Sequence, residues 1–90
     1  MVNVLYFTAD WCNPCKKVKP IVEGINKDSI TKFQIIDVDS EIELVKRFEI
    51  RSVPTFILMD DGKEVARLIG AQNKESLLDF IKIGLDSDNG

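Results

Sequence analysis

The segment Trp11-Cys12-Asn13-Pro14-Cys15 contains both cysteines of the 90-residue chain and joins a predicted strand to a predicted helix. The preceding run Val4-Leu5-Tyr6-Phe7 is apolar throughout, which is typical of a strand buried on both faces. The apolar residues that follow the segment recur at helical spacing: Val18, Ile21, Val22 and Ile25. The spacing therefore predicts that Cys12 lies at a helix N-terminus, with Cys15 one turn further along.

A helix N-terminus favours an anion, because its first N–H groups lack partners and the helix dipole is positive there. A thiolate is such an anion, and it is the form of cysteine that attacks a disulfide. We therefore expect Cys12 to be partly exposed, with a thiol pKa below about 8.5, and Cys15 to be buried and unreactive. The spacing also allows the two thiols to close a disulfide.

The composition excludes several kinds of site. A net charge of −3 argues against binding to nucleic acid, which needs a basic face. Without histidine the chain lacks Ser-His and Cys-His catalysis and has too few ligands for a closed zinc site. It shows neither a secretory signal nor the run of about 20 apolar residues that a membrane span needs. We therefore expect a cytoplasmic location, where a cysteine pair is more often catalytic or metal-binding than structural.

Apolar runs and turn residues predict the remaining elements. Three further strands are indicated, at residues 33–38, 55–59 and 64–69. A capping box of Ser40 and Glu43 predicts a short helix between the first two of these strands. Asp61-Gly62 is a strong hairpin signal between the last two, and Asn73 can cap a final helix.

These elements predict an α/β fold with the order β-α-β-α-β-β-α. The βαβ unit should be parallel and right-handed, and the hairpin should pair beside the first strand. The result is a four-stranded mixed sheet in the order 2-1-3-4, with helices on both faces. We assign residues 1–85 to this single domain and expect the polar tail, residues 86–90, to fray.

The chain resembles the thioredoxin family over nearly its whole length. Residues 9–16, Ala-Asp-Trp-Cys-Asn-Pro-Cys-Lys, are similar to the family's active-site segment, with Asn13 where glycine is more usual. The run Ile50-Arg51-Ser52-Val53-Pro54-Thr55 is similar to the segment that ends in the family's cis-proline, opposite the cysteines. The other matches are Pro20 in the active-site helix, the hairpin turn Asp61-Gly62-Lys63 and Gly70 after the edge strand.

Three features depart from the family pattern. The chain opens on the strand that leads to the cysteines, as in a minimal, glutaredoxin-sized version of the fold without the N-terminal strand and helix. Tyr6 stands where thioredoxins usually bury an aspartate, and Ile35 stands where they have a nearby lysine. A phenol with a pKa near 10, raised further by burial, is a poor base at neutral pH. We therefore expect mixed disulfides to be resolved more slowly than in a thioredoxin with the carboxylate.

The resemblance implies a thiol–disulfide oxidoreductase that reduces protein disulfides. It implies Cys12 as the nucleophile and Cys15 as the resolving thiol. The implied substrate-binding residues are Trp11, Pro14, Val53, Pro54 and Gly70, and Asp39 is implied to lie near the active-site tryptophan. We expect a monomer that binds no cofactor, no nucleic acid and no membrane. The resemblance implies a flavin-dependent thioredoxin reductase as the electron donor.

Three alternatives remain open. A glutaredoxin-like reductant would use glutathione, although Gly70-Ala71-Gln72-Asn73 lacks the Gly-Gly-Asp-like signature that helps to hold it. A non-catalytic binding module would dock a partner on the face formed by Trp11 and Pro54, with the thiols incidental. A metal or iron–sulfur site could be bridged between two chains through Cys12 and Cys15.

Overall fold

A four-stranded sheet forms the centre of the molecule in a computed structural model that describes residues 1–28 and 31–89. The elements in chain order are β1 (Val2–Thr8), α1 (Asn13–Asp28), β2 (Phe33–Asp37), α2 (Ile42–Arg47), β3 (Thr55–Asp60), β4 (Lys63–Ile69) and α3 (Lys74–Asn89). The strand order is β2-β1-β3-β4, with β1 parallel to β2 and antiparallel to β3. The predicted element order, sheet order and mixed sheet are confirmed.

The two faces of the sheet bury separate clusters of apolar side chains. The larger cluster joins the strands to the apolar faces of α1 and α3, through residues such as Val18, Val22 and Leu77. The smaller cluster lies on the opposite face, where Leu44, Val45 and Phe48 of the α2 region pack against the strands. Burial on both faces explains why β1 and β3 are apolar along almost their whole length.

The start of α2 differs from the expected capping box. The helix begins at Ile42 with Glu41 at the N-cap, and no side chain among the described residues caps it. The preceding residues form a turn, in which the N–H groups of Ser40 and Glu41 both donate to the carbonyl oxygen of Asp37, at 3.1 and 2.9 Å. Ser40 therefore lies within this turn, and the prediction of a capping box was wrong.

The last helix is longer than the sequence indicated. Its N-terminus is capped as expected, because the side chain of Asn73 accepts a hydrogen bond from the N–H of Ser76 at 2.8 Å. The helix continues to Asn89, beyond the boundary that we placed at residue 85. The fraying of the tail stays a prediction, and Gly90 lies outside the described residues.

The arrangement of β1 and β3 sets the place of the site. These strands are antiparallel, and Phe7 near the end of β1 pairs with Thr55 at the start of β3. The segment that leads from β1 into α1 therefore lies beside the segment that leads into β3, and the first holds both cysteines while the second holds Val53 and Pro54. No helix in the described part of the chain is long and apolar enough to cross a membrane.

Candidate active site

The two cysteines lie at the start of α1 and form a disulfide, with their Cα atoms 5.2 Å apart. Cys12 immediately precedes the helix, and its N–H donates to the carbonyl oxygen of Ala9 at 3.2 Å. The backbone N–H of Cys15 donates to the Sγ atom of Cys12 at 3.2 Å. An N–H of the first helical turn, which has no acceptor within the helix, thus donates to the sulfur that we expected to carry negative charge.

Both cysteines are buried, which corrects the expectation that Cys12 is partly exposed. Residue exposure is 4% for Cys12 and 2% for Cys15. The half-buried side chains of Val38 and Val53 pack against the cysteine pair, and the carbonyl oxygen of Val53 lies 3.7 Å from the Sγ atom of Cys12. The position of Cys12 at the N-terminus of α1 was predicted correctly, but the side chains that bury it come from segments that are distant in sequence. The lowered thiol pKa stays a prediction, because bonded sulfurs do not titrate.

The Val53–Pro54 peptide bond is cis and lies beside the cysteines, which confirms the expectation drawn from the resemblance. Hydrogen bonds hold the segment on both sides of this bond. The hydroxyl of Thr55 donates to the carbonyl oxygen of Ser52 at 2.8 Å, and the N–H of Gly70 donates to that of Pro54, also at 2.8 Å. Gly70 has a φ of 98°, in the left-handed region that favours glycine. Its contact with Pro54 is the hydrogen bond from its backbone N–H.

Trp11 is the prominent exposed side chain of the site, with 66% of its surface accessible. Its indole N–H donates to a carboxylate oxygen of Asp39 at 3.0 Å, so the expected proximity of these two residues is confirmed. The carboxylate of Asp37 in turn accepts the N–H of Asp39 at 2.8 Å. A pocket beside the indole is lined by Trp11, Val38, Val45, Ile50, Arg51, Ser52 and Val53. The indole is therefore fixed at the rim of a largely apolar depression next to the cysteines.

Tyr6 lies behind the cysteines, with no exposed surface. Its hydroxyl donates to the carbonyl oxygen of Cys15 at 3.2 Å, and its ring stacks on Phe56 with centroids 4.9 Å apart. Burial raises the pKa of Tyr6 above its ordinary value of 10.0, while a hydrogen bond with the Thr8 side chain has a smaller, lowering effect. The expected rise in pKa is confirmed. Ile35, at the other departure from the family pattern, is 46% exposed.

The structure brings most of the predicted site residues together. Trp11, Val53 and Pro54 adjoin the cysteines, while Pro14 is exposed in the first turn of α1 and Gly70 contacts the backbone of Pro54. Sequence reasoning missed the pocket residues on the α2 side, among them Val45 and Ile50, because apolar spacing marks them equally well as core. Among the described residues, no group of three or more His, Cys, Asp or Glu side chains could hold a metal ion.

Comparisons with known proteins point to one family. A family model described as thioredoxin matches residues 1–83. Thioredoxin of Mycobacterium tuberculosis is 42% identical over 74 residues, which cover 80% of this chain and 64% of that protein. The bifunctional thioredoxin reductase/thioredoxin of Mycobacterium leprae is 39% identical over 74 residues, covering 80% of this chain and 16% of that protein. The X-ray structure of Fasciola hepatica thioredoxin superposes with a TM-score of 0.86 at 36% identity, covering 92% of this chain and 80% of that one.

Proposed function

The chain belongs to the thioredoxin family, and we propose that it is a thiol–disulfide oxidoreductase that reduces disulfides in protein substrates. The observation that carries the proposal is the Cys12–Cys15 disulfide at the N-terminus of α1, beside the cis Val53–Pro54 bond. The chain spans 64% of the length of the Mycobacterium tuberculosis thioredoxin.

In the first half of the reaction, Cys12 of the reduced protein attacks a substrate disulfide as a thiolate. A bond forms between the Sγ atom of Cys12 and one substrate sulfur, while the other substrate sulfur leaves as a thiolate and takes up a proton. The N–H of Cys15, which donates to the Sγ atom of Cys12, supports this role because it stabilises negative charge on that sulfur.

In the second half, Cys15 loses its thiol proton and attacks the Sγ atom of Cys12. The Cys12–Cys15 bond forms, the bond from Cys12 to the substrate breaks, and the substrate leaves with its second thiolate. Two electrons have then passed from the protein to the substrate, and the protein is left in the disulfide form that the structure contains. The Cα separation of 5.2 Å supports this step, because it lies within the range of protein disulfides.

The proposed substrate surface surrounds the cysteines and consists of Trp11, Pro14, Val53, Pro54 and Gly70. The carbonyl oxygen of Val53 is a suitable partner for an extended substrate backbone, because it lies 3.7 Å from the reacting Sγ atom. The exposed indole of Trp11 supports a role in docking, since tryptophan is enriched at binding hot spots.

We also propose that residues 1–85 act as one monomeric domain in the cytoplasm, recycled by a flavin-dependent thioredoxin reductase. The relative from Mycobacterium leprae supports the choice of electron donor, because its name combines thioredoxin and thioredoxin reductase in one protein. A reducing compartment suits a catalytic dithiol, which must be returned to its thiol form after each turnover.

Insulin reduction tests this proposal. We expect catalysed precipitation of the insulin B chain with dithiothreitol, and also with NADPH plus thioredoxin reductase. Cys12→Ser should abolish the reaction, whereas Cys15→Ser should trap a covalent mixed disulfide with the substrate. Glutathione with glutathione reductase as the sole electron source distinguishes the glutaredoxin-like alternative, for which it would give the faster turnover. Uncatalysed rates with every donor would contradict the proposed function.

A further inference from the structure

Tyr6 is a buried polar residue that takes no chemical part in the exchange of bonds between sulfurs, and it connects three parts of the site. Its hydroxyl donates to the carbonyl oxygen of Cys15 at 3.2 Å. The side chain of Thr8, two residues along and on the same face of β1, lines the same pocket and lowers the pKa of the Tyr6 hydroxyl by less than burial raises it. The ring of Tyr6 stacks on that of Phe56, which it faces directly across the β1–β3 pair.

These contacts join the resolving cysteine to the sheet. Cys15 belongs to the first turn of α1, and its carbonyl group is fixed to β1 through the Tyr6 hydroxyl. Phe56 lies in β3, which begins directly after the cis bond between Val53 and Pro54. The ring stack therefore also connects the first turn of α1 to β3. A tyrosine hydroxyl has one donor and can accept as well, so the hydroxyl that donates to Cys15 can also accept a hydrogen bond from Thr8.

We propose that the hydrogen-bonded chain from Thr8 through Tyr6 to Cys15 is a positioning device for the resolving step. Tyr6 and Thr8 are positioning residues, since they act through the backbone of Cys15. The inference rests on the proposed function and concerns the second half of the exchange reaction, in which Cys15 attacks the Sγ atom of Cys12. It assigns to this pair the task of keeping Cys15 close to Cys12 after the disulfide between them has opened.

The requirement arises because the second half of the reaction is intramolecular. Its rate depends on how often the Cys15 sulfur lies in line with the bond from Cys12 to the substrate. In the mixed disulfide, Cys12 is bonded to the substrate, so no bond between Cys12 and Cys15 holds Cys15 in place. The Tyr6 hydrogen bond then remains to fix the first turn of α1 against β1. Losing one such bond should slow the attack about fivefold.

Two-step reaction with 5,5′-dithiobis(2-nitrobenzoate) separates the two halves. Attack by Cys12 releases one thionitrobenzoate and leaves the second on Cys12, and attack by Cys15 then releases the second while the Cys12–Cys15 disulfide forms. Each step gives up one thiol proton to solvent. The first phase is second order overall, with a rate proportional to the reagent concentration, whereas the rate of the second phase is independent of that concentration, so stopped-flow absorbance at high reagent concentration resolves both.

Tyr6→Phe is the decisive variant, because it keeps the ring stack on Phe56 and removes only the hydroxyl. We expect its first phase to match that of the wild type and its second phase to be about fivefold slower. Thr8→Val, which keeps the shape of the side chain and removes its hydroxyl, should slow the second phase about twofold. If Tyr6→Phe does not fold, Thr8→Val carries the test, and a wild-type second phase in that variant overturns the proposal.

Ile81→Val is the matched control. Ile81 is buried in the same cluster as Tyr6 but belongs to α3, so this variant loses core packing without touching the hydrogen-bonded chain. We expect both of its phases to match those of the wild type. Equal slowing in Ile81→Val and Tyr6→Phe would show a general effect of stability and overturn the positioning role.

The same experiment separates failure of the inference from failure of the proposed function. A wild-type protein that releases a single equivalent, or none, has no resolving step, so the exchange function itself fails. Two equivalents from the wild type, with identical second phases in wild type and Tyr6→Phe, leave the exchange function standing and reject only the role of Tyr6.

Discussion

Glu49, at the end of α2, has a backbone conformation that its side chain does not favour. Its φ of 53° lies in the left-handed region, which is most accessible to glycine. Its N–H donates to the carbonyl oxygen of Lys46 at 3.2 Å, and the N–H of Ile50 donates to that of Val45 at 3.0 Å. This pattern closes the end of a helix, where glycine is the usual residue. The chain therefore bears a local conformational cost four residues before Val53.

Glu49→Gly should raise the free energy of unfolding by about 0.5–1 kcal/mol, because glycine adopts the left-handed conformation without the Cβ penalty. For a domain of this size, the melting temperature should rise by a few degrees. Glu43→Gly is the matched control, since it makes the same exchange in the first turn of α2 and should destabilise the protein. Thermal unfolding of both variants checks the signs, and a lower melting temperature for Glu49→Gly would contradict the prediction.

At the scale of elements, sequence periodicity predicted the order of the helices and strands, whereas the local pattern at the start of α2 was misread. The spacing of Val18, Val22 and Ile25 predicted the buried face of α1, because a helix must cover its apolar stripe. Ser40 and Glu43 do not form a capping box, because Ser40 lies in a turn whose backbone N–H groups donate to Asp37. Local sequence patterns cannot decide between this turn and a capping box.

The candidate site was likewise predictable from the sequence only in part. Local spacing located the cysteines relative to α1, and the resemblance supplied the cis-proline and the proximity of Trp11 and Asp39. The burial of Cys12 depends on Val53, which lies 41 residues away in sequence, so no local pattern could show it. The hydrogen bond from Tyr6 to Cys15 likewise joins a strand to a helix, and a single tyrosine in an apolar run gives no signal of its partner.

Two glycines in helices provide an element-scale prediction, because their surroundings differ. Gly24 in α1 is exposed, and within the described part of the chain a Cβ atom added there would meet no atom within 4 Å. Gly84 in α3 faces the sheet, where an added Cβ atom would lie 2.8 Å from a methyl carbon of Val2 and 3.1 Å from one of Leu58. The absence of a side chain at Gly84 is therefore what allows α3 to approach β1 and β3.

We expect Gly24→Ala to stabilise the protein by about 0.5–1 kcal/mol, since alanine is the better helix former. Gly84→Ala makes the same helix gain but overpacks the core, so it should be less stable than Gly24→Ala by about 1–3 kcal/mol. Urea denaturation of the two variants measures this difference directly. Equal stabilisation by both would mean that α3 can move away from the sheet at little cost.

At the scale of the whole molecule, the core that supports the fold also contains the phenol behind the active site. Tyr6 belongs to the cluster formed with α1 and α3, and it is the only tyrosine in the chain. Its pKa in the folded protein is raised above 10.0, chiefly by burial. The native state therefore resists ionisation of this group, whereas the unfolded chain does not.

This difference predicts loss of stability in alkali. Below about pH 10 the phenol is neutral in both states and its contribution to stability is fully present. As the pH rises above 10, the unfolded state ionises first, so the free energy of unfolding should fall, and the contribution is lost as the pH passes the raised folded pKa. Urea midpoints measured between about pH 9 and 11 should fall more steeply for wild type than for Tyr6→Phe. Parallel curves for the two proteins would contradict the prediction.

The chain contains a single tryptophan, and it is the residue next to Cys12. Since disulfides quench indole emission, the fluorescence of Trp11 should respond to the formation and reduction of the Cys12–Cys15 bond beside it. No second indole elsewhere in the chain would dilute that signal. The protein therefore carries its own optical probe, through which oxidation, reduction and substrate docking can be followed in real time without an added label.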